Sequence, residues 1–499
     1  MNGVKKVSKD NKVFHISLGF SIIIVLWGIL AQNSFANFAS ALLNFLTNKF
    51  GWLYLISMLT FVIFALALAF SKYGKIKLGP DDSEPEYSTV SWFAMLFGAG
   101  MGIGLVFWGL AEPISHFVNP LQGIEPGTTE AMDFAMKSSF MHWGFHPWAN
   151  YSIIGLALAY FQFRKNKPGL ISSIFIPLIG EDRVNGPIGK LVDILAVFAT
   201  VAGVATSLGL GTLQINSGLN YLFNIPETSL VQMIIIVVIT VITIYTAVSG
   251  IDKGIKILGD INLYLACGLL VLVLVLGPTL PIINNFTNGL GLYINDFFKD
   301  SLNISAFGDN TWINNWRIFY WAWWIAWAPF VGSFIARISK GRTVREFIGG
   351  VIITPALVSI VWFAVFGSLG LNLVGQLGID ILAIAAQAPE TALFKVYEYY
   401  PLTNILSLIT IVLLTTFFIT SSNSATFVLG MFTSNGDLNP SNSKKFLWGV
   451  VLALFAAALL LSGGLEALQT ASVAAAFPFI FVMLFAMVAV VKAFREERV

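Results

Sequence analysis

The sequence predicts an all-α, polytopic membrane protein with twelve transmembrane helices. Three observations predict it: composition, the recurrence of long apolar runs, and the placement of positive charge. Of 499 residues, 57% are hydrophobic and 11% charged, and the mean hydropathy is +0.80. Soluble chains carry about a quarter charged residues. A hydrocarbon core about 30 Å thick needs roughly 20 apolar residues per helix. Runs of that kind centre on Val25, Thr60, Gly100, Asn150, Thr200, Ile236, Leu270, Ile325, Leu357, Leu413, Leu454 and Leu484. Basic residues cluster before the first run and then in every second connection; of the 28 lysines and arginines, only Lys49, Lys137, Lys299, Arg317 and Lys395 fall elsewhere. By the positive-inside rule this places both termini in the cytoplasm. The first run, Ile16 to Leu30, follows four lysines like a signal peptide. It reads as a retained helix, because its removal would spoil the alternation.

Taken in order, the chain divides into an N-terminal segment with two peripheral helices (1–88) and a first five-helix repeat (89–280). An extracytoplasmic connection (281–314), a second repeat (315–492) and a short cytoplasmic tail (493–499) follow. Spans three and eight carry the break signals. Span three reads F-G-A-G-M-G-I-G-L from Phe97 to Leu105, and span eight reads W-A-P-F-V-G from Trp327 to Gly332. Glycine costs a helix roughly 1 kcal/mol and proline about 3, and in lipid the freed backbone must find partners within the protein. Interrupted helices in matching places of two halves point to a midplane binding site. Five spans per half is an odd number, so the halves, spans three to seven and eight to twelve, would be inverted. The connection holds L-G-L-Y-I-N-D-F-F, which fits either a surface-lying helix or a plain loop.

Several classes are excluded. A net charge of +2 confined to short connections offers no nucleic-acid surface. The single cysteine, Cys267, can form no intrachain disulfide and is expected in the packed core. No nucleophile or metal constellation suggests an enzyme. His142 and His146 stand i, i+4 without a third ligand, which favours packing over metal. Asp133, Asp193 and Asp260 lie near span ends. Glu112, in A-E-P after span three, reads as an end position with a gating or structural role.

Two aromatic clusters are too dense for an interfacial belt: M-H-W-G-F-H-P-W-A-N-Y, with Trp143, Trp148 and Tyr151, and Y-W-A-W-W-I-A-W, with Trp321, Trp323, Trp324 and Trp327. A quaternary ammonium has no N–H to donate, and indole faces attract such a cation by about 0.5 to 2 kcal/mol each when desolvated. An unwound glycine segment around Gly100, Met101, Gly102 and Gly104 could offer N–H groups to a carboxylate at the other end of a zwitterion.

The strings G-A-G-M-G-I-G-L-V-F-W-G-L-A-E-P, H-P-W-A-N-Y and W-A-W-W-I-A-W-A-P-F-V-G-S-F-I-A-R-I-S-K-G-R-T-V-R-E-F resemble the betaine/carnitine/choline transporter family, over spans one to twelve. The resemblance implies a five-plus-five inverted-repeat core with two extra N-terminal helices, a homotrimer, and uptake of a quaternary-ammonium osmolyte driven by an ion gradient. It assigns the aromatic box to Trp143, Trp148, Tyr151 and Trp324, and the pathway to Trp323, Trp327 and Phe334. It implies no cofactor and Na+ as the coupling ion, held by Thr420 and Ser421 with Phe417 on one face of span ten, and by Gly98 and Met101. A second sodium site would use Thr200 and Phe330, but the expected hydroxyl one turn on is replaced by Val204. Intact Gly102 and Gly104 favour glycine betaine over choline or carnitine. Alternative readings are a proton-coupled choline or carnitine carrier, an amino-acid symporter on the same core, and a membrane osmosensor or channel.

Overall fold

The computed structural model describes residues 11–100, 102–249, 252–374 and 386–497, with positions 378 and 383 between. Among the described residues the architecture is all-helical, apart from one isolated antiparallel bridge between Lys77 and Thr343. Every expected span centre lies in a helix. In chain order, α1 (Lys12–Leu30) and α2 (Gln32–Phe70) are followed by α3 (Thr89–Gly100) and α4 (Ile103–Val118), then α5 (Thr129–Trp143) and α6 (Phe145–Ala159). Next come α7 (Pro187–Phe223), α8 (Ser229–Val248), α9 (Asp252–Leu276) and α10 (Thr279–Leu302). The second half comprises α11 (Phe319–Ile338), α12 (Val344–Asn372), α13 (Pro389–Tyr397), α14 (Thr403–Phe432) and α15 (Asn442–Arg495).

Hydropathy explains most of these elements. Nine described helices are long and apolar enough to cross a membrane. The 54-residue α15 contains both of the last two expected centres; it bends at Gly464, whose φ of 55° and ψ of −130° leave the helical region. A straight helix of that length would run about 80 Å, far beyond a bilayer. Its two halves therefore serve as separate apolar segments. The core forms where α15 and α7 lie along one another, with α14 and α11 against α7, α6 against α11, and α12 against α4.

Three expectations need correction. Span three is interrupted as the glycines predict, between α3 and α4, with Gly102 extended at φ −161° and ψ −178°. Span eight is not interrupted: α11 runs through Pro329. The proline is accommodated by its neighbours. Asn150 Nδ2 of α6 donates to the Trp324 carbonyl at 2.8 Å, Ser333 Oγ donates to the Pro329 carbonyl at 2.7 Å, and Gly332 lets α6 approach so closely that a Cβ there would lie 3.0 Å from the Gly155 nitrogen. The irregularity in this part of the chain is instead a π-helical turn, Ile313–Ile318, just before α11. Span four, expected to be regular, breaks at Gly144 (φ −84°, ψ −125°). There a side chain would collide with the Phe140 carbonyl at 2.5 Å and the Tyr293 hydroxyl at 2.7 Å. This break separates His142 from His146, so the two do not share one helix face. Finally, Cys267 is exposed on α9 rather than packed in the core. The semi-apolar connection forms helix α10, which packs on α5, α12 and α2.

Two distant connections are clasped together. The Leu78 N–H donates to the Arg342 carbonyl at 2.8 Å, the Gly341 N–H to the Leu78 carbonyl at 2.9 Å, and the Val344 N–H to the Ile76 carbonyl at 2.8 Å. The Arg342 guanidinium lies 4.2 Å over the Trp92 ring of α3, and Trp92 Nε1 donates to Ser339 Oγ at 3.0 Å.

Candidate functional site

The break at Gly144 and the close approach of α11 to α6 decide where the aromatic side chains meet. Trp143 ends α5, Trp148 and Tyr151 lie in the first two turns of α6, and Trp324 comes from α11. All four are buried. Their rings form a continuous chain: Trp143 to Trp324 at 4.8 Å and 74°, Trp324 to Tyr151 at 6.4 Å and 82°, and Tyr151 to Trp148 at 5.4 Å and 79°. Near-perpendicular rings of this kind present faces to a shared centre while edges meet neighbouring faces. The box expected from the sequence is thus brought together from three helices.

The other expected pathway residues separate into different places. Trp323 stacks nearly parallel on Trp324 (4.9 Å, 13°) and backs the box rather than standing apart from it. Trp327 donates its indole N–H to the Gly203 carbonyl at 2.7 Å and pins α11 to α7. A Cβ at Gly203 would meet that indole at 2.7 Å. Phe330 lies against Trp327, at 5.4 Å. Phe334 is 37% exposed, away from the box. Gly104, in the first turn of α4, faces the indoles directly: a Cβ would lie 2.6 Å from Trp323 Cη2 and 3.0 Å from Trp143 Cη2. Gly98 and Gly102 face open space. Gly100 ends α3, and Met101 lies outside the described residues.

The box is held by polar groups that the sequence did not reveal. Glu112 is fully buried within α4, not at a solvated end. Its Oε2 accepts from Trp143 Nε1 at 2.8 Å and from the Tyr320 hydroxyl at 2.5 Å. Its Oε1 receives His142 Nδ1 at 2.7 Å and His116 Nε2 at 3.2 Å. Trp324 Nε1 donates to the His142 carbonyl at 2.9 Å. His146 turns to Ser301 Oγ of α10, at 3.0 Å. The only signal for this arrangement was an acidic residue inside an apolar run, which is expensive and so functional by default.

The ion-binding residues expected on α14 are only partly assembled. The hydroxyl of Thr420 accepts from Asn262 Nδ2 of α9 at 3.1 Å and donates within its own helix, to the Thr416 carbonyl at 3.0 Å. Asn262 Oδ1 is buried and has no hydrogen-bond partner. The Thr420 hydroxyl also lies 3.2 Å from the Phe417 carbonyl. Phe417 is buried and Ser421 half-buried. Helix α3, which carries Gly98, makes its extended contacts with α12, α11 and α9 rather than with α14. Helix α4, which follows the glycine segment, packs on α14. At the second expected site, the buried Thr200 donates to the Ala196 carbonyl at 2.8 Å within α7. Phe330 lies on α11, which packs against α7.

A bundle of long apolar helices enclosing a buried chain of three indoles and a tyrosine defines a polytopic membrane protein with an aromatic interior. Comparison with known proteins agrees with that class. The family model for the betaine/carnitine/choline family transporter matches residues 12–499. The glycine betaine transporter OpuD of Bacillus subtilis is 49% identical, with 98% of this chain and 95% of that protein covered. An ectoine/hydroxyectoine transporter of Virgibacillus pantothenticus is 44% identical over 97% and 96%. The high-affinity choline transport protein of Escherichia coli is 38% identical over 97% and 72%. This chain belongs to the betaine/carnitine/choline transporter family. It is a multi-pass membrane transporter, not an enzyme.

Proposed function

We propose that the protein takes up a small quaternary-ammonium osmolyte, glycine betaine in preference to choline, by sodium symport and alternating access. The observation that carries this reading is the meeting of Trp143, Trp148, Tyr151 and Trp324 in one buried ring chain, with Gly104 letting two indoles pack against the backbone of α4. The methylated cation sits against indole faces, which need no hydrogen-bond donor from it. Its carboxylate turns to the N–H groups at the start of α4, where the helix dipole favours an anion. Sodium draws on Thr420, Ser421 and the Phe417 carbonyl, with Asn262 Oδ1 as a further oxygen. Thr200 and Phe330 would serve a second ion. The expected homotrimer and cytoplasmic termini complete the reading, the latter from the alternation of basic connections.

The relative named for choline supports a second reading, in which choline is carried on a proton gradient. Uptake of labelled glycine betaine into proteoliposomes, under an imposed sodium gradient, an imposed proton gradient or neither, separates the two. Sodium-driven, saturable accumulation inhibited more weakly by choline than by unlabelled betaine is expected. Accumulation driven by protons alone, or blocked best by choline, would overturn the first reading. Non-saturable flux would point to a channel.

A further inference from the structure

Glu112 is an acceptor-only group with about four lone-pair sites when ionised, and four separate side chains meet its two oxygens: Trp143 and Tyr320 donate, while His142 and His116 donate or accept according to tautomer. A neutral amide could accept only two. Both imidazoles meet the same oxygen. For both to donate, His116 must carry its proton on Nε2 and His142 on Nδ1. The opposite nitrogens, His116 Nδ1 and His142 Nε2, are buried without partners. Among the described residues no lysine or arginine pairs with Glu112. The neighbouring buried Arg317 gives Nη1 to the Asp300 carbonyl at 2.6 Å and its face to Trp312, at 5.3 Å. Lys137 is taken by Asp296 and Asp300.

The buried Arg317 acts on Glu112 across space without forming an ion pair with it. We propose that Glu112 acts on the substrate's quaternary ammonium through the indole of Trp143, whose N–H it accepts at 2.8 Å. An N–H bonded to an anion is polarised, and the polarisation passes along the chain of bonds. Electron density is pushed into the ring, and the ring face attracts a cation more strongly. Glu112 is thus a positioning residue that also sets charge selectivity: it orients Trp143 and Tyr320 and enriches the face the ammonium meets. This rests on the quaternary-ammonium reading above.

The test compares each cation with its carbon isostere, in which C(CH3)3 replaces N(CH3)3+. Glycine betaine is paired with 3,3-dimethylbutanoate and choline with 3,3-dimethylbutan-1-ol, their binding to the full-length protein in nanodiscs being read by tryptophan fluorescence. Glu112→Gln keeps the shape, since both histidines can switch tautomer to accept from the amide. The wild type should bind each cation more tightly than its isostere. In Glu112→Gln that preference should shrink about tenfold, with isostere affinity held within about threefold. An unchanged preference, or equal loss of cation and isostere, would overturn the proposal and leave Glu112 a purely structural role. A wild type without any preference would instead remove the quaternary-ammonium reading. Should Glu112→Gln fail to fold, Trp143→Phe keeps a ring but cuts the N–H link. It should lose the preference several-fold, and full retention there would also overturn the proposal.

Discussion

The aromatic box and the hydroxyl-bearing face of α14 are both interior sites, yet they are finished differently. Around the box, Trp143 and Trp324 each place their indole N–H on a named acceptor, so the faces are fixed before any ligand arrives. Around Thr420 the hydroxyl is spent on Asn262 and on its own helix, and one amide oxygen is left over. On the function proposed above, a preformed surface for a diffuse cation coexists with an unfinished one for a small hard ion, which the ion itself would complete. Preorganisation lowers the cost of binding, so the box should respond steeply to loss of a wall, and the α14 site chiefly to ion concentration.

The comparison can be broken most directly at Trp324. Trp324→Ala removes a wall and leaves the His142 carbonyl without its donor. Betaine uptake at sub-saturating concentration should fall more than about tenfold, as measured in proteoliposomes. A variant retaining half the uptake would show that the rings are only packing. Next in size is Gly104→Ala, whose Cβ would press on two indoles. We expect an affinity loss of about tenfold, equivalent to 1–3 kcal/mol of overpacking, with expression unchanged; wild-type affinity would mean the wall gives way. Thr420→Val should raise the sodium concentration for half-maximal uptake several-fold, while uptake at saturating sodium approaches the wild-type rate. Thr420→Ser should restore it. A valine variant with unaltered sodium dependence would separate α14 from coupling.

The smallest effect lies beyond the last span. Glu497 accepts from Arg164 Nη2, Lys165 Nζ and the Tyr160 hydroxyl, each at 2.7 Å. The Arg164 hydrogen bond, ahead of those from Lys165 and Tyr160, holds its carboxyl at about 2. A depressed carboxyl contributes stability that is full above the ordinary value of 4.5 and is lost as pH falls toward the folded value. Glu497→Gln should cost about 1 kcal/mol or less. The gap between the melting temperatures of the two proteins should shrink as pH falls from 4.5 and close near pH 2, and a gap that does not shrink across that window would contradict the assignment.

Much of this was legible in the sequence, for physical reasons specific to each feature. Apolar runs report helices because lipid leaves the backbone no other solution. The four alternating glycines reported the gap between α3 and α4, and the indoles reported the box because few other uses require so many. Pro329 misled because α11 continues through it, with Asn150 of a neighbouring helix donating to the Trp324 carbonyl one turn before the proline. His142 and His146 misled because spacing implies a common face only while the helix continues, and Gly144 ends it. Asn262 was missed, and Glu112, given a gating or structural role, was placed at a span end, for one shared reason. Their significance lies in donors and acceptors from spans far apart in the chain, which no local pattern displays.

The clasp between Lys77 and Thr343 has a consequence for biogenesis. Its two strands are separated in the chain by spans three to eight, so the connection after α2 must wait during synthesis until α11 has entered the bilayer. Its unpaired N–H and C=O groups stay hydrated in the meantime, and the first half of the protein remains an unlatched set of helices. Ribosome-bound chains ending before residue 344 should leave that connection open to protease, and longer chains should protect it. Final closure is thus a late event in assembly, timed by the arrival of the second half.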